Sequence, residues 1–199
     1  MSQSFATLAY TPNVREMQRR YGSREAQRHT DVAQGGFAGL SQHEARFIAE
    51  RDSFYQSTVS ESGWPFVQHR GGPAGFLKII DSNTVGYADF GGNAQYVSVG
   101  NLTGNDRVAL ILMDYANRHR LKLLGRARVV HADEQPELLA QFVMPGYRAR
   151  IERAIVIDLC ASDWNCPQHL TRRFTEAQVE EMIAPILEEN RRLRSMMQN

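Results

Sequence analysis

Phe54-Tyr55-Gln56-Ser57-Thr58-Val59 opens the run of short segments, ending near Val130, whose reading decides the fold. Its aromatic and β-branched residues predict a strand, and Glu61-Ser62-Gly63 its turn. Pro65-Phe66-Val67-Gln68-His69 reads as the returning strand. Gly71-Gly72-Pro73 interrupts that strand, and Gly75-Phe76-Leu77-Lys78-Ile79-Ile80 resumes it. Asp81-Ser82-Asn83 forms a second hairpin turn before a strand over Thr84 to Phe90. Gly91-Gly92-Asn93 breaks this strand, and a short helix is predicted over Ala94 to Val99. Arg107 to Met113 is apolar enough for a buried strand. After the turn Asn117-Arg118-His119, Arg120 to Val130 reads as a long strand with Gly125 as a bulge or kink. Many short strands with glycine-bearing turns predict a closed or nearly closed β-barrel.

Outward from this core the pattern changes period. Ser41-Gln42-His43-Glu44 matches a capping box, so a helix should begin there and bury Phe47 and Ile48. Residues 1–42 read as a peripheral extension with a short helix opened by Pro12. On the other side, Gln135 to Phe142 is predicted helical and Ile151 to Leu159 a strand. Asp163-Trp164-Asn165-Cys166-Pro167-Gln168-His169 is irregular and polar. Thr175 caps a C-terminal helix whose Val179, Met182, Ile183, Ile186 and Leu187 share one face, read as a docking face for the barrel or a partner subunit. The expected organisation is therefore an extension over 1–42, a barrel domain over 43–172 and a terminal helix over 173–199.

The 199 residues suit one domain with terminal additions, large enough to bury a core without staples. A net charge of +1 argues against a general nucleic-acid binder. Lys78 and Lys122 are the only lysines, so the positive charge is almost all arginine, which suits bidentate contacts to phosphate or carboxylate. Two cysteines, Cys160 and Cys166, make neither a disulfide framework nor a redox pair. The N-terminus lacks an apolar signal core, and no apolar run is long enough for a membrane span. These features predict a soluble cytoplasmic protein.

Four clusters have the residue types for chemistry. Gln68-His69-Arg70-Gly71-Gly72 ends a strand in an imidazole, a guanidinium and two glycines. It reads either as an anion contact, with backbone N–H groups facing the ligand, or as a glycine-rich bulge with a solvated arginine. Asp89-Phe90-Gly91-Gly92-Asn93-Ala94-Gln95-Tyr96 leads a strand into a helix start, which is an anion site in principle; it matches neither a Walker nor a dinucleotide motif. Arg118-His119-Arg120 is either a phosphate contact or an exposed turn. Trp164, Asn165, Gln168 and His169 offer a flat face and polar groups for a heterocycle. Cys166 and His169 resemble half a zinc site, but no second half is present, so no metal is expected. No serine, cysteine or paired-carboxylate catalytic arrangement stands out, as expected if a cofactor supplies the chemistry.

The order SGWPFVQHRGG, GFLKIIDSNTVGYADF, GGNAQYVSVGNL, RVALILMDY and RHRLKLLGRARVV resembles the pyridoxamine 5'-phosphate oxidase-like flavoproteins over Phe47 to Val130. The resemblance implies a mainly β fold with flanking helices (α+β), a split β-barrel of the FMN-binding type, working as a homodimer. It implies FMN contacts from Gln68, His69, Arg70 and Gly71 on the second barrel strand, and from Ala88, Asp89 and Phe90 alongside the ribityl chain and phosphate. Gly92, Asn93, Ala94 and Gln95 fall where the family binds phosphate, but Ala94 stands in place of an expected basic residue. The missing charge then falls to Arg70, to backbone N–H groups, or to Arg118 and Arg120. Arg120 also matches a flavin-contacting strand position, and Trp164, Gln168 and His169 are expected to reach the partner's flavin. Asn101 resembles a structural corner residue of the family, with Leu102 replacing its proline.

The vitamin B6 oxidase activity is not implied, because the long C-terminal substrate-binding arginine pattern is missing. The resemblance implies instead an FMN-dependent oxidoreductase acting on a small molecule or taking electrons from a nicotinamide, with no nucleic-acid or membrane partner. Two alternatives stay open: a non-catalytic flavin carrier or sensor, and a split barrel that holds deazaflavin or haem. In the haem case His69, His119 or His169 would be the axial ligand.

Overall fold

The computed structural model describes residues 4–33, 36–164 and 166–197. Seven antiparallel strands form one sheet in the order β2-β1-β5-β6-β7-β4-β3. They are β1 (Ser53–Val59), β2 (Pro65–Gly71), β3 (Lys78–Asp81), β4 (Thr84–Phe90), β5 (Arg107–Asp114), β6 (His119–His131) and β7 (Ile151–Trp164). The sheet rolls up, because side chains from its distant strands meet. Tyr87 of β4 donates to Gln56 Oε1 of β1 at 2.7 Å inside the core. Arg70 of β2 reaches Asp89 of β4 at 2.6 Å. This is the split β-barrel that the sequence predicts, with its helices outside the sheet.

Alternation sets the core. Phe54, Gln56 and Thr58 of β1 are buried while their neighbours are less so, and β5 alternates in the same way. A main cluster of Phe54, Phe76, Val85, Tyr87, Leu110, Leu112, Leu121 and Leu123 fills the barrel. β4 is buried on both faces, as expected for a covered strand. Its second face packs on Leu139 and Phe142, beside the short helix α6 (Pro136–Ala140). Gly86 makes this possible, since a Cβ there would lie 2.7 Å from Phe142 Cζ. Gly125 sits at the predicted irregularity: the β6–β7 register shifts between Leu124 and Gly125.

The helices are α1 (Phe5–Ala9), α2 (Pro12–Arg20), α3 (Arg24–Ala33), α4 (Gln42–Ala49), α5 (Val97–Gly104), α6 and α7 (Glu176–Met196). The capping box of α4 is present in both directions between Ser41 and Glu44. Four points differ from the sequence expectation, the first being that β7 runs past Leu159 to Trp164, so that Asp163 and Trp164 pair with β6. Lys78–Asp81 does not resume β2; it crosses to the opposite sheet edge and pairs with β4, because Pro73 to Leu77 turn the chain and bury Phe76 and Leu77 in the barrel. The described residues of the extension over 1–42 include three helices, α1 to α3, and Ser4 and Ala6 are buried, with α1 lying against β7. α5 begins at Val97, three residues later than predicted, since Ala94 and Tyr96 take φ of 58° and 53°, outside the right-handed helical region. No helix among the described residues is long and apolar enough to cross a membrane.

Candidate functional site

Strand alternation decides which side chains of β2 can share a site. Phe66, Gln68 and Arg70 turn to the barrel side, while Val67 and His69 are exposed. Arg70 is nearly buried, with 13% of its side chain exposed. It is fixed by its bond to Asp89 Oδ1. The other Asp89 oxygen accepts from Arg153 Nη1 at 3.0 Å. Arg153 stands directly opposite Asp89 in the β4–β7 ladder, and its guanidinium lies over the Tyr96 ring at 5.0 Å. One buried carboxylate thus holds two guanidinium groups side by side. Glu152 takes a further Arg153 bond, so the two guanidinium and two carboxylate charges balance before any ligand arrives.

These side chains line a cleft of about 240 Å³, together with Gln68, Phe90, Asn93, Gln95 and the first turn of α5. Ser98 Oγ donates to Gln68 Oε1 at 2.8 Å and so ties α5 to β2. Deeper in the same wedge, Asn101 Nδ2 donates to Thr58 Oγ1 at 3.0 Å, which gives Asn101 the structural role expected of it. The N-cap residue of α5, Tyr96, makes no side-chain capping bond, and Val97, Ser98 and Val99 of that first turn, where a helix leaves unpaired N–H groups and its positive dipole end, line the cleft. A smaller hollow of about 140 Å³ adjoins it, lined by His69, Arg70, Gly71, Tyr87, Ala88 and Asp89.

Of the residues singled out in the sequence, Gln68, Arg70, Asp89, Phe90, Asn93 and Gln95 converge on the cleft. His69, Gly71 and Ala88 border the smaller hollow. The His69 ring faces outward, edge-on to Tyr55 at 5.4 Å. The glycines here serve the fold: the Gly72 N–H donates to the Asp52 carbonyl at 2.9 Å, and a Gly72 Cβ would strike the Phe76 ring at 2.8 Å. Ala94 lines the cleft with no charge to offer. Arg153 is the cationic residue that sequence reading missed. The only signal was a charged Glu152-Arg153 pair ahead of the apolar run Ala154-Ile155-Val156-Ile157, and its opposition to Asp89 is a property of the sheet.

Arg118, Arg120, Trp164, Gln168 and His169 do not join the cleft within one chain. In the β6–β7 ladder Leu121 faces Trp164, whereas His131 faces Arg153. The two groups are therefore separated by roughly 30 Å of strand. Trp164 packs on His43 and Phe47, each with ring centroids 4.9 Å away. Arg120 Nη2 donates to the Cys166 carbonyl at 2.9 Å. Arg118, Gln168 and His169 are exposed; Asn165 lies outside the described residues. No group of three or more metal-ligating side chains occurs among the described residues.

A rolled antiparallel barrel with an arginine-lined cleft against a helix start defines a protein of the split-barrel class. The model of the pyridoxamine 5'-phosphate oxidase family matches residues 40–161, and the chain belongs to that family. Among solved structures it is similar to HupZ of Group A Streptococcus, with 15% identity over 68% of this chain and 99% of that one, at a TM-score of 0.49. An FMN-binding protein of Syntrophomonas wolfei matches at 14% identity over 76% of this chain and 96% of its own, at a TM-score of 0.48. A general stress protein 26-related protein of Clostridium acetobutylicum matches at 16% identity, covering 67% and 92%, at a TM-score of 0.46. No curated protein matches the chain.

Proposed function

We propose that this chain binds FMN in the cleft between β2, β4, β7 and α5 and acts as a flavin-dependent oxidoreductase on a small molecule. The observation that carries this reading is the paired Arg70 and Arg153 on Asp89, facing the uncapped start of α5 in a chain of this family. The donor set fits a phosphate monoester. Arg70 Nε is buried with no hydrogen-bond partner, and a buried donor left unpaired costs about 1–3 kcal/mol until a ligand satisfies it. Asp89 fixes both guanidinium planes in advance, so little side-chain entropy remains to be lost on binding. Arg153 then offers guanidinium N–H donors where Ala94 offers none, its own charge being matched by Asp89 and Glu152. When bound, FMN supplies hydride or electron transfer; the protein residues bind and orient it.

The second half of the site is assigned to a partner copy. The outward face of the β1–β2 hairpin exposes Tyr55, Trp64 and Val67, a patch suited to association. A homodimer through this face would let Arg118, Arg120, Trp164, Gln168 and His169 act at the partner's cleft, and ligand sites often lie between subunits. Cys160 and Cys166, both free, suit a reducing cytoplasm.

The test is to denature the purified protein and identify the released ligand, then titrate the apoprotein with FMN and with a deazaflavin. A flavin spectrum and saturable FMN binding are expected. Deazaflavin binding without FMN binding, or a Soret band, overturns the assignment. Turnover of an acceptor with a reduced nicotinamide separates an enzyme from a carrier.

A further inference from the structure

The helix α7 is twenty-one residues long, and every one of them is exposed. Val179, Met182, Ile183, Ile186, Leu187 and Leu193 nevertheless form one apolar stripe along it, with Ile186 67% exposed. Pro185 lies inside the helix and removes one of its own hydrogen bonds. Helices in proteins owe most of their stability to packing of an apolar face, and this face has no cover among the described residues.

The charges identify the cover. Acidic Glu176, Glu180 and Glu181 occupy the first half of α7, and Arg191, Arg192 and Arg194 the last turns; Glu188 and Glu189 lie between them on other sides of the helix, Glu189 paired with Arg192. At about 100° per residue, Glu176, Glu180, Arg191 and Arg194 all fall on one flank of the stripe, within about 60° of each other. The helix dipole favours acids at the start and bases at the end, but it does not require them on one flank. When two helices pack antiparallel, like flanks face each other, so the acidic half of one copy meets the basic half of the other. Parallel packing would set this flank against Gln178, Met182 and Glu189, with no such match. We infer that α7 pairs antiparallel with α7 of a second copy of this chain, centred near Ile186. This contact is separate from the barrel face and independent of the flavin reading.

Disulfide trapping in the full chain, with Cys160→Ser and Cys166→Ser, tests the pairing. Ile186→Cys chains are expected to link to each other on mild oxidation, because Ile186 meets its own copy. Val179→Cys chains should not link to each other but should link to Leu193→Cys chains. Glu180→Arg should slow the Ile186→Cys link about tenfold, and adding Arg191→Glu with Arg194→Glu should restore it. Self-linking of Val179→Cys, or charge restoration without recovery, overturns the antiparallel arrangement. Absence of the Ile186→Cys link in a chain that still sediments as a dimer overturns the α7 contact while leaving a barrel dimer standing.

Discussion

Asp89 is buried between two arginines, so each of the three residues depends on the others. Arg153→Ala should weaken FMN binding by about 1.5–3 kcal/mol, the worth of a charge-assisted hydrogen bond, and Arg70→Ala by a similar amount. Unchanged affinity for Arg153→Ala in a fluorescence titration would remove Arg153 from the phosphate site. Tyr87 and Gln56 form another buried polar pair. Burial pushes the Tyr87 phenol far above its ordinary range; the Asp89 carboxylate adds to this, and Arg70 opposes it. The phenol therefore stays a neutral donor to Gln56. Gln56 Nε2 already lacks a partner, so Tyr87→Phe leaves the whole amide unbonded in the core. A loss of about 1–3 kcal/mol is expected, seen in urea unfolding as a lower midpoint with an unchanged slope. At this scale Arg70 was legible in the sequence as a strand arginine beside glycines. Arg153 was not, because its role comes from facing Asp89 across a ladder between residues far apart in the chain.

The hairpin between β5 and β6 shows what a single element can fix locally. Asp114 accepts from the Asn117 backbone N–H at 3.0 Å and from its side-chain amide at 2.9 Å, with Arg51 3.3 Å away. Burial alone would raise the Asp114 carboxyl, but the Asn117 bonds, Arg51 and His119 together hold it below its ordinary value. A lowered folded pKa adds stability above the unfolded carboxylate range, near about 3.9, and that stability fades as pH falls through the folded value. The stability that the native chain holds over Asp114→Asn should thus be present above about pH 5 and shrink as pH falls below about pH 4. A difference that grows below about pH 4 would contradict this. The turn was readable from Asn117-Arg118-His119, as the α4 cap was from Ser41 and Glu44. Helix α5 was placed too early, since the left-handed turns at Ala94 and Tyr96 have no glycine to announce them.

For the whole molecule, closure of the sheet is what makes a site. β2 and β4 stand five places apart in the sheet order, yet Arg70 and Asp89 touch. The outward face of the β1–β2 hairpin leaves Val67 62% exposed, and Val67→Asp should shift the proposed dimer toward monomer at least tenfold in sedimentation equilibrium without unfolding it. An unchanged constant would move the interface elsewhere. The sequence alone determined the alternation of most strands, the caps of α4 and α7 and the glycine turns, because these depend on neighbours a few residues away, and the number of short strands pointed to a β-barrel. Only the tertiary structure decided that Lys78–Asp81 changes sheet edge, that Arg153 joins Arg70 on Asp89, and that Trp164 and Arg120 lie a strand's length from the cleft. Those facts depend on pairing and closure between distant segments, which burial and hydrogen-bond satisfaction settle for the chain as a unit.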